Sequence, residues 1–492
     1  MAPIVDLEKQ VDEALSAVAK AQTSGVFEST GAWSYDLTGI VSLIPVVTPL
    51  RDKIGREASQ NGSPFAIWRA FLDVTSSQPR PNPGFDRAAS EVVTSVTNFQ
   101  APYVPVGLAG LVTQDAFDLA KGLYDPYATE TMQVLQQVLI GEDRQLAGGQ
   151  AFATPQPGNP ALTPSTTGGS LAASTWYVGV AARGISGYFY GGNSRGSSNS
   201  AATTGTTGSI TASVASVKGA AAYDWFIGSS TAAFVYAGTT TTSSITITQS
   251  TAAAVGGINL PDIASWTPTW NGTADNGSLQ LDSNSNPIEF NGLFASITAD
   301  VTTGSFVTPG TGVANGATYV DGGGSALTLA GQSVAQFDAV FLGIWNKVKT
   351  SPTAIMVNAI QAAELTHLLT GTPGASLFLT SDAANRENIV VGGRIGSVIN
   401  APAGGVQVPI EVHPSVPPGT VIFRTDTVPF PNSGITSTLK VRTLRDYAEY
   451  EYATNRVAGT VGGGPRKEFE IRSVESLVNY APVAFGVLSN IA

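Results

Sequence analysis

Hydrophobic residues recur at helical spacing in the two flanks of the chain and alternate in short runs in its middle. In the first flank, apolar residues from Met132 to Leu139 fall on one face of a helix. Asp125 is a suitable N-cap, and Pro126 suits the first helical position. The pattern predicts a helix from Asp125 to about Leu146. About 20 residues at ~1.5 Å each make a rod of roughly 30 Å.

The same helical spacing predicts four further helices, at Val5–Ala21, Thr113–Lys121, Gly331–Lys349 and Asn358–Leu369. The last two enclose Ala354–Val357, a short apolar run typical of a buried strand. This helix–strand–helix order implies a sheet with helices packed on it. Shorter strands are predicted at Ile40–Val47, Val408–Val412 and Thr420–Arg424.

The middle of the chain is rich in Thr, Ser, Gly and Ala and reads as a series of short strands. Residues 159–328 hold only ten of the 61 charged residues, so the composition changes sharply at both borders. Strand spacing of about ten residues predicts a small β sandwich. Its six expected strands are Thr175–Ala182, Ser186–Tyr190, Ser209–Val217, Ala221–Ile227, Ala232–Ala237 and Ser244–Thr248.

The run Ala222–Ile227 resembles the central strand of an immunoglobulin-like or fibronectin-type module. Such strands bury their large side chains between two sheets. We therefore interpret four aromatic residues as sandwich core rather than as a ligand platform: Tyr177, Tyr223, Trp225 and Phe234.

Two long extended elements need hydrophobic cover from elsewhere. Residues 51–112 are rich in proline, with strand-like pieces at Phe65–Leu72 and Glu91–Phe99, which predicts a two-stranded excursion. Ser437–Thr454 and Arg466–Tyr480 predict a long closing hairpin, which cannot be stable alone and lies most simply along the 30 Å helix. We expect both elements to find their apolar cover on sister copies of the chain.

Composition narrows the class of protein. The 12% charged content is about half the usual share, which suits a protein that packs against its own copies and equally a secreted Thr/Ser-rich β protein. The net charge of −11, without a basic stripe, argues against a dedicated nucleic-acid binder. The absence of cysteine excludes disulfides and thiolate metal sites.

The sequence offers no export or membrane signal. Met1–Lys20 lacks a basic start followed by an apolar stretch, as a signal peptide requires. The most apolar window, Leu37–Leu50, contains Pro45 and Pro49 and is too short to span a bilayer. We expect a protein made in a cytoplasm, with no membrane partner.

No catalytic pattern emerges. His367 reads as an ordinary helix residue and His413 as a loop residue, and neither belongs to a metal or nucleophile motif. The run after Asp282 lacks the Gly and Glu of a calcium loop, and Gly392–Gly396 lacks the Lys-Ser/Thr of a phosphate loop. We interpret Glu142–Asp143 as helix-end charges. A Ser-His-Asp arrangement assembled by the fold stays open but unsupported, so the sequence predicts no enzyme, no cofactor and no metal.

The order of these parts resembles that of the major capsid proteins of tailed bacteriophages, which have the Hong Kong 97-like fold. The best local match is Asp125–Gly149, similar to that family's spine helix ending in an acidic pair, an aliphatic residue and glycines. Phe290–Ile297 resembles the family's re-entry into the axial domain. Gly405–Ile410 and Val416–Thr420 resemble its turns near the symmetry axes.

The resemblance implies an α+β fold with an inserted all-β sandwich. By it the chain comprises an N-terminal arm (1–50), an extended β loop (51–112), a peripheral domain with the spine helix (113–157), the inserted immunoglobulin/fibronectin-like domain and connector (158–289), an axial domain (290–430), and a peripheral hairpin with C-terminal return (431–492).

The resemblance also implies a function and partners. The chain would self-assemble as hexamers and pentamers into an icosahedral shell around phage double-stranded DNA, without sequence-specific binding. Its partners would be a scaffolding protein, a portal and a decoration protein, in a virion assembled in the host bacterial cytoplasm. The residues expected at assembly contacts are Trp33, Tyr35, Arg51, Trp68, Arg69, Arg442, Arg445, Tyr450 and Arg472.

Two departures from the family pattern carry expectations of their own. No lysine lies between Lys53 and Lys121, so an isopeptide weld from the outer part of the extended loop is chemically impossible. Only about 25 residues precede Phe27, so we expect no large built-in scaffolding segment.

Two other classes stay open. A cellular nanocompartment shares the capsid fold but usually lacks an outer β insert. A secreted carbohydrate-binding or adhesin protein explains the Thr/Ser-rich middle but leaves the helical flanks unexplained.

Overall fold

The computed structural model describes residues 47–59, 62–73, 95–120, 125–250, 267–275, 288–302, 304–330, 333–371, 396–429, 437–452 and 466–492. The chain divides into two compact units; of the described residues, 115–120 and 125–126 belong to one and the rest to the other. The predicted helix Val5–Ala21, nearly all of the predicted strand Ile40–Val47, and the candidate contacts Trp33 and Tyr35 lie outside the described residues.

The described helices are α1 Gln114–Ala120, α2 Pro126–Gly148, α3 Ile185–Tyr190, α4 Leu293–Thr298, α5 Ala335–Val348 and α6 Ala359–Gly371. Single 3₁₀ turns occur at Arg51–Lys53 and Pro482–Ala484. The predictions for α1, α2, α5 and α6 are confirmed within a few residues at each end, except that α5 starts four residues later than expected.

Strands, numbered along the chain, are β1 Gly55–Ala58, β2 Phe65–Asp73, β3 Ser95–Pro102, β4 Val104–Thr113, β5 Ala161–Ser165, β6 Thr175–Arg183, β7 Ser197–Ala202, β8 Ser209–Ser213, β9 Ala222–Gly228, β10 Phe234–Thr240, β11 Ser244–Ile247, β12 Asp300–Thr302, β13 Ser305–Val307, β14 Val313–Ala314, β15 Thr318–Ser325, β16 Leu329–Ala330, β17 Ser333–Val334, β18 Ala354–Val357, β19 Ser397–Asn400, β20 Val406–Val412, β21 Val421–Arg424, β22 Leu439–Tyr452, β23 Arg466–Asn479 and β24 Gly486–Ile491. The fold is mixed α+β, as expected from the sequence.

A six-stranded sheet of order β15-β24-β21-β18-β20-β19 carries the second helical flank. Its central strand β18 is buried along its whole length, as the sequence predicted. Helix α5 packs on this sheet through Phe337 and Phe341, whose rings lie 5.3 and 5.4 Å from that of Phe423 on β21. The predicted arrangement of helices on a sheet is therefore confirmed.

The closing hairpin belongs to a four-stranded sheet of order β1-β22-β23-β4, here called the hairpin sheet. One of its faces lies against α2, where Val134 and Val138 pack on Phe469 and Ile471 of β23. The hairpin therefore lies along the long helix, as predicted. The expectation that its cover comes from sister copies is wrong for this face, because α2 of the same chain supplies it. A sequence pattern shows that a face is apolar but not which chain covers it.

The excursion is fixed to the body of the chain through its strands β2 and β3, which we call its base. Strands β2 and β3 join β12, β13 and β14 in a sheet of order β14-β12-β13-β3-β2. Trp68 stacks on Phe99 with ring centroids 5.8 Å apart, and both rings contact Phe306. The Trp68 indole Nε1 donates to the Asn479 carbonyl at 2.8 Å. Here too the inward face is covered within the chain, so the expectation of cover by other copies is wrong at the base.

The middle of the chain forms two sheets, of order β10-β9-β6-β7 and β11-β8-β5. Side chains from both sheets share one core, in which Tyr223 and Trp225 are buried. The interpretation of these two aromatics as core is confirmed, whereas Tyr177 and Phe234 are half-buried. We call residues 158–250 with 267–275 and 288–289 the insert.

One predicted strand of the insert is wrong, because Ser186–Tyr190 lies in helix α3. The run Ile185–Tyr190 is too short for periodicity to separate helix from strand, and tertiary packing decides. Two strands were missed. Both β5 and β7 consist mainly of small Ser, Thr and Ala residues that carry little apolar signal.

Candidate assembly surfaces

A cluster of buried charged groups joins the segment before the excursion to α2 and the hairpin sheet. We call Arg51, Arg56, Glu142, Tyr447 and Glu475 the junction cluster. Glu142, on α2, is fully buried and accepts hydrogen bonds from Arg51 Nε at 2.7 Å, from Arg56 Nη1 and from the Tyr447 hydroxyl. The Arg56 guanidinium also lies over the Tyr447 ring, 4.7 Å from its centroid.

The second carboxylate of the junction cluster is Glu475 on β23, also fully buried. It accepts a hydrogen bond from Arg56 Nη2 at 2.6 Å, so one guanidinium bridges two buried carboxylates. Burial and the negative charge of Glu142 raise the pKa of Glu475 to about 7, although Arg56 opposes the shift. Removing Arg56 would leave the Glu475 carboxylate buried without its cation, which makes the cluster a strong constraint on geometry.

Asp143, the next residue of α2, holds the same segment through its backbone. Its Oδ1 accepts the amide hydrogens of Leu50 at 3.0 Å and Arg51 at 2.9 Å. Its Oδ2 lies 3.2 Å from His413 Nε2. His413 Nδ1 accepts the Ser415 amide hydrogen at 3.1 Å.

These contacts correct the interpretation of Glu142–Asp143 as helix-end charges, because both carboxylates are buried and paired. They also place His413 beside an acid, which the sequence did not suggest. The arrangement includes no metal site, because no group of residues in the described ranges could hold a metal ion. Chemically it is a clasp that fixes residues 50–56 against the spine helix and the hairpin.

The structure separates the predicted assembly contacts into two groups. Arg51, Trp68 and Arg442 are engaged within the chain, and Trp68 and Arg442 meet at one residue, Tyr480. The Arg442 guanidinium donates from Nη2 to the Tyr480 hydroxyl at 3.0 Å. The exposed or half-buried residues, which remain predictions as contacts, are Arg69, Arg445, Tyr450 and Arg472.

The sequence analysis did not predict that Arg56, Glu142 and Glu475 lie together. The positions of the two glutamates in apolar rows did, however, indicate that both are buried. On α2, Glu142 stands four residues after Val138 and four before Leu146, so helical geometry places it on the apolar face. On β23, Glu475 shares the face of Phe469 and Ile471 by two-residue alternation. A carboxylate in an apolar row predicts a buried partner.

Several edge strands of the described sheets expose apolar side chains, and β2 and β4 are among them. Strand β2 ends its sheet and buries Ala66 and Trp68, while Phe65 and Ile67 on the opposite face are 41% and 57% exposed. Strand β4 ends the hairpin sheet and exposes Leu108 and Leu111. A free strand edge with apolar side chains is a template for pairing with another chain.

The described part of the chain contains no helix long and apolar enough to cross a bilayer.

No protein-family model matches the chain, and no curated protein matches its sequence. Among solved structures, it is similar to the capsid of a native GTA particle, with 8% identity and a TM-score of 0.44 over 97% of this chain and 99% of that one. It is similar to the capsid asymmetric unit of cyanophage A-1(L), with 9% identity and a TM-score of 0.42 over 94% and 97% of the two chains. It is also similar to the holo-SrpI encapsulin complex from Synechococcus elongatus PCC 7942, with 10% identity and a TM-score of 0.34 over 96% and 95%. These capsid and encapsulin structures are similar to this chain over nearly its whole length.

Proposed function

We propose that the chain is a major capsid protein, which self-assembles as hexamers and pentamers into an icosahedral shell enclosing phage double-stranded DNA. The observation that carries the proposal is the two-sided character of β2. Its inner face is anchored by Trp68, while Phe65, Ile67 and Arg69 are exposed on the strand that ends this sheet in the described part of the chain. An element held rigidly at its base with an uncovered apolar side is built to be covered by another molecule.

The junction cluster supports the proposal from inside the chain. It clamps residues 50–56, at the start of the excursion, to α2 and the hairpin sheet. The excursion therefore leaves the body at a fixed position. A shell needs this, because each subunit must present its reaching element in the same direction as its neighbours do.

The charge balance supports the proposed contents. With 36 acidic and 25 basic residues, the chain has little capacity to neutralise phosphates, and affinity for DNA rises with the number neutralised. A container that holds DNA without gripping its sequence fits this balance. The low charge also fits extensive burial between subunits, since obligate interfaces are large and apolar.

By the same proposal, residues 1–50 are the N-terminal arm and 51–112 the extended loop that lies over a neighbouring subunit. Residues 113–157 and 431–492 form the peripheral domain, and 290–430 the axial domain. The module at 158–289 is an immunoglobulin/fibronectin-like domain on the outer surface. A scaffolding protein, a portal and a decoration protein are the proposed partners in the virion.

Electron microscopy of the purified chain with sedimentation velocity tests the proposal. The wild type should form closed shells, and nucleic acid should be found inside particles isolated from the natural source. Ile67→Arg should leave the circular dichroism spectrum unchanged but abolish shells, because a charge on an edge strand opposes pairing. The matched control is Val235→Arg, an exposed apolar residue of the insert, which should still assemble.

Three results would point elsewhere. A wild type that stays monomeric under all assembly conditions contradicts the proposal and favours the secreted β protein. Closed shells that hold protein cargo and no nucleic acid favour the nanocompartment. Shells formed equally well by Ile67→Arg would show that the β2 edge is not an assembly contact.

A further inference from the structure

An open cavity of about 480 Å³ lies where the insert meets the body of the chain. Its walls come from four elements: β4, the second half of α2, the insert helix α3, and residues 288–289. Most of the lining side chains are apolar, and they include Val106, Leu108, Val138, Ile185, Phe189 and Ile288. A concave apolar site with a few polar groups is the usual form of a binding site.

The cation in this cavity is Arg144 of α2. Its guanidinium carbon lies 5.1 Å from the ring centroid of Phe189 and 5.5 Å from that of Tyr190. In the described part of the chain it forms no ion pair with a carboxylate, and its Nε is buried without a hydrogen-bond acceptor. A guanidinium held against aromatic faces, with its Nε donor unused, can bind an incoming carboxylate.

The one acidic wall residue, Glu289, is engaged elsewhere. Its carboxylate accepts the Ser186 hydroxyl at 2.7 Å and the Gln150 amide at 3.0 Å. Burial raises the pKa of Glu289, while these two hydrogen bonds oppose the shift. The cavity therefore favours an anion at Arg144.

The mouth of the cavity is apolar and exposed. Leu108, Tyr190 and Ile288 line the cavity, and each leaves about half of its surface open to solvent. Large exposed apolar side chains grouped around one cation mark an interaction site. Leu108 also lies on β4, an edge strand of the hairpin sheet.

We infer that this cavity docks a second copy of the chain, which inserts a carboxylate flanked by apolar side chains. Charge complementarity selects this occupant, because the chain carries a net charge of −11 and so presents acidic groups in excess to each neighbour. The carboxylate binds Arg144, and the flanking apolar groups cover Leu108 and Ile288. This inference rests on the proposed self-assembly and gives it a specific contact.

Site-specific cross-linking tests the inference. The chain has no cysteine, so Leu108→Cys introduces a unique thiol at the mouth of the cavity for a maleimide photo-cross-linker. Under assembly conditions, denaturing gels should show a cross-linked dimer, and mass spectrometry should map the partner peptide to an Asp or Glu beside apolar residues. Leu342→Cys, at a similarly exposed leucine of α5, is the matched control site.

A second substitution isolates the role of the cation. Arg144→Met should lower the dimer yield from position 108 about tenfold, as expected when one charge-assisted hydrogen bond is lost, and leave the yield from position 342 unchanged. Arg144→Lys should retain most of the yield. Unchanged circular dichroism and thermal midpoints exclude simple unfolding of these variants.

The inference and the proposed function can fail separately. Shells that assemble with only intramolecular or Arg144-independent cross-links overturn the docking site and leave the proposed function intact. Arg144-dependent dimers without shells support the site and contradict the proposed function. Cross-links to a different protein, or no cross-links at all, overturn the inference.

Discussion

Ile185 is the residue through which the insert enters the core of the body. It is buried and packs with Leu146, Ala147 and Phe290, although it follows an insert strand directly. Its partner surface on α2 is Gly148, where an added Cβ would lie 2.0 Å from Ile185 Cγ2. We predict that Ile185→Ala destabilises α2 as well as the insert.

The packing around Ile185 sets the size of the expected loss of stability. Ile→Ala substitutions in cores cost about 2–5 kcal/mol, depending on how well the site collapses. Here the opposite wall includes the backbone of Gly148, which has no side chain to fill the cavity. We therefore expect about 3–5 kcal/mol, the upper part of that range. Amide hydrogen exchange at residues 134–148 should accelerate roughly hundred- to thousandfold, since each 1.4 kcal/mol is about a factor of ten.

Enlarging residue 148 while shrinking residue 185 tests whether the two share one core. Gly148→Ala alone should destabilise by about 1–3 kcal/mol through overpacking. Ile185→Ala removes the 2.0 Å contact with Cγ2 and leaves the 2.7 Å contact with Cβ, so the double variant should be more stable than the sum of the single effects by roughly 0.5–3 kcal/mol. Ile210→Ala, in the insert's own core, is the control and should leave exchange in α2 unchanged. Additive effects, or an α2 unaffected by Ile185→Ala, would refute a shared core.

Three further predictions concern the junction cluster, the excursion and the shell. Because the folded-state pKa of Glu475 is raised, its proton stabilises the fold fully below pH 4.5, and this contribution is lost as the pH rises through about 7. Glu475→Gln, which mimics the protonated group, should therefore become progressively more stable than the wild type across that window, at up to about 1 kcal/mol per pH unit in thermal melts, and a constant difference would contradict the assignment. Trp68→Phe should cost about 1–3 kcal/mol in urea denaturation, because it leaves the buried Asn479 carbonyl without its donor, whereas Trp345→Phe at a half-buried site should cost less. Intact particles should run as a single monomer band on a denaturing gel, because the excursion offers no lysine between Lys53 and Lys121 for a covalent weld, and a ladder of bands would disprove this.

The long elements were predictable because their signals are strong and local. Helix α2 combines an N-cap, a proline at the first position and an apolar face, and Gly148 and Gly149 mark its end. The two strands of the hairpin were also predicted to within two residues, since alternation over fourteen positions leaves little ambiguity. In these segments local preference and tertiary packing agree.

The insert helix α3 is a segment whose conformation could not be predicted from local sequence. Ile185–Tyr190 has only six residues, and its helical form depends on what it touches: Ile185 on Gly148 and Phe189 on Arg144. Nothing within six residues encodes contacts with a helix 40 positions earlier. The pairing of His413 with Asp143 could not be predicted for the same reason, since only the fold brings them together.

The sequence could predict that two buried carboxylates need a cation, but it could not predict that the cation is Arg56. Glu142 and Glu475 each interrupt an apolar row, which is a sufficient sign that a buried cation is required. Arg56 carries no such sign, because none of the four residues of β1 is buried. The register of β1 on β22 places Arg56 beside both carboxylates, and register is a property of the assembled sheet.

The contacts of the insert with the body do not follow the border that the composition suggests. The fall in charged residues after position 159 marks a change in surface chemistry. The core, however, continues across that border, because Ile185 belongs to the same cluster as Leu146 and Phe290. The insert is also tied to the last strand of the chain, since Asn490 bonds both Ser243 and Asp321. The insert is thus held to the body by a shared core at one place and by hydrogen bonds at another, so its position is coupled to that of α2.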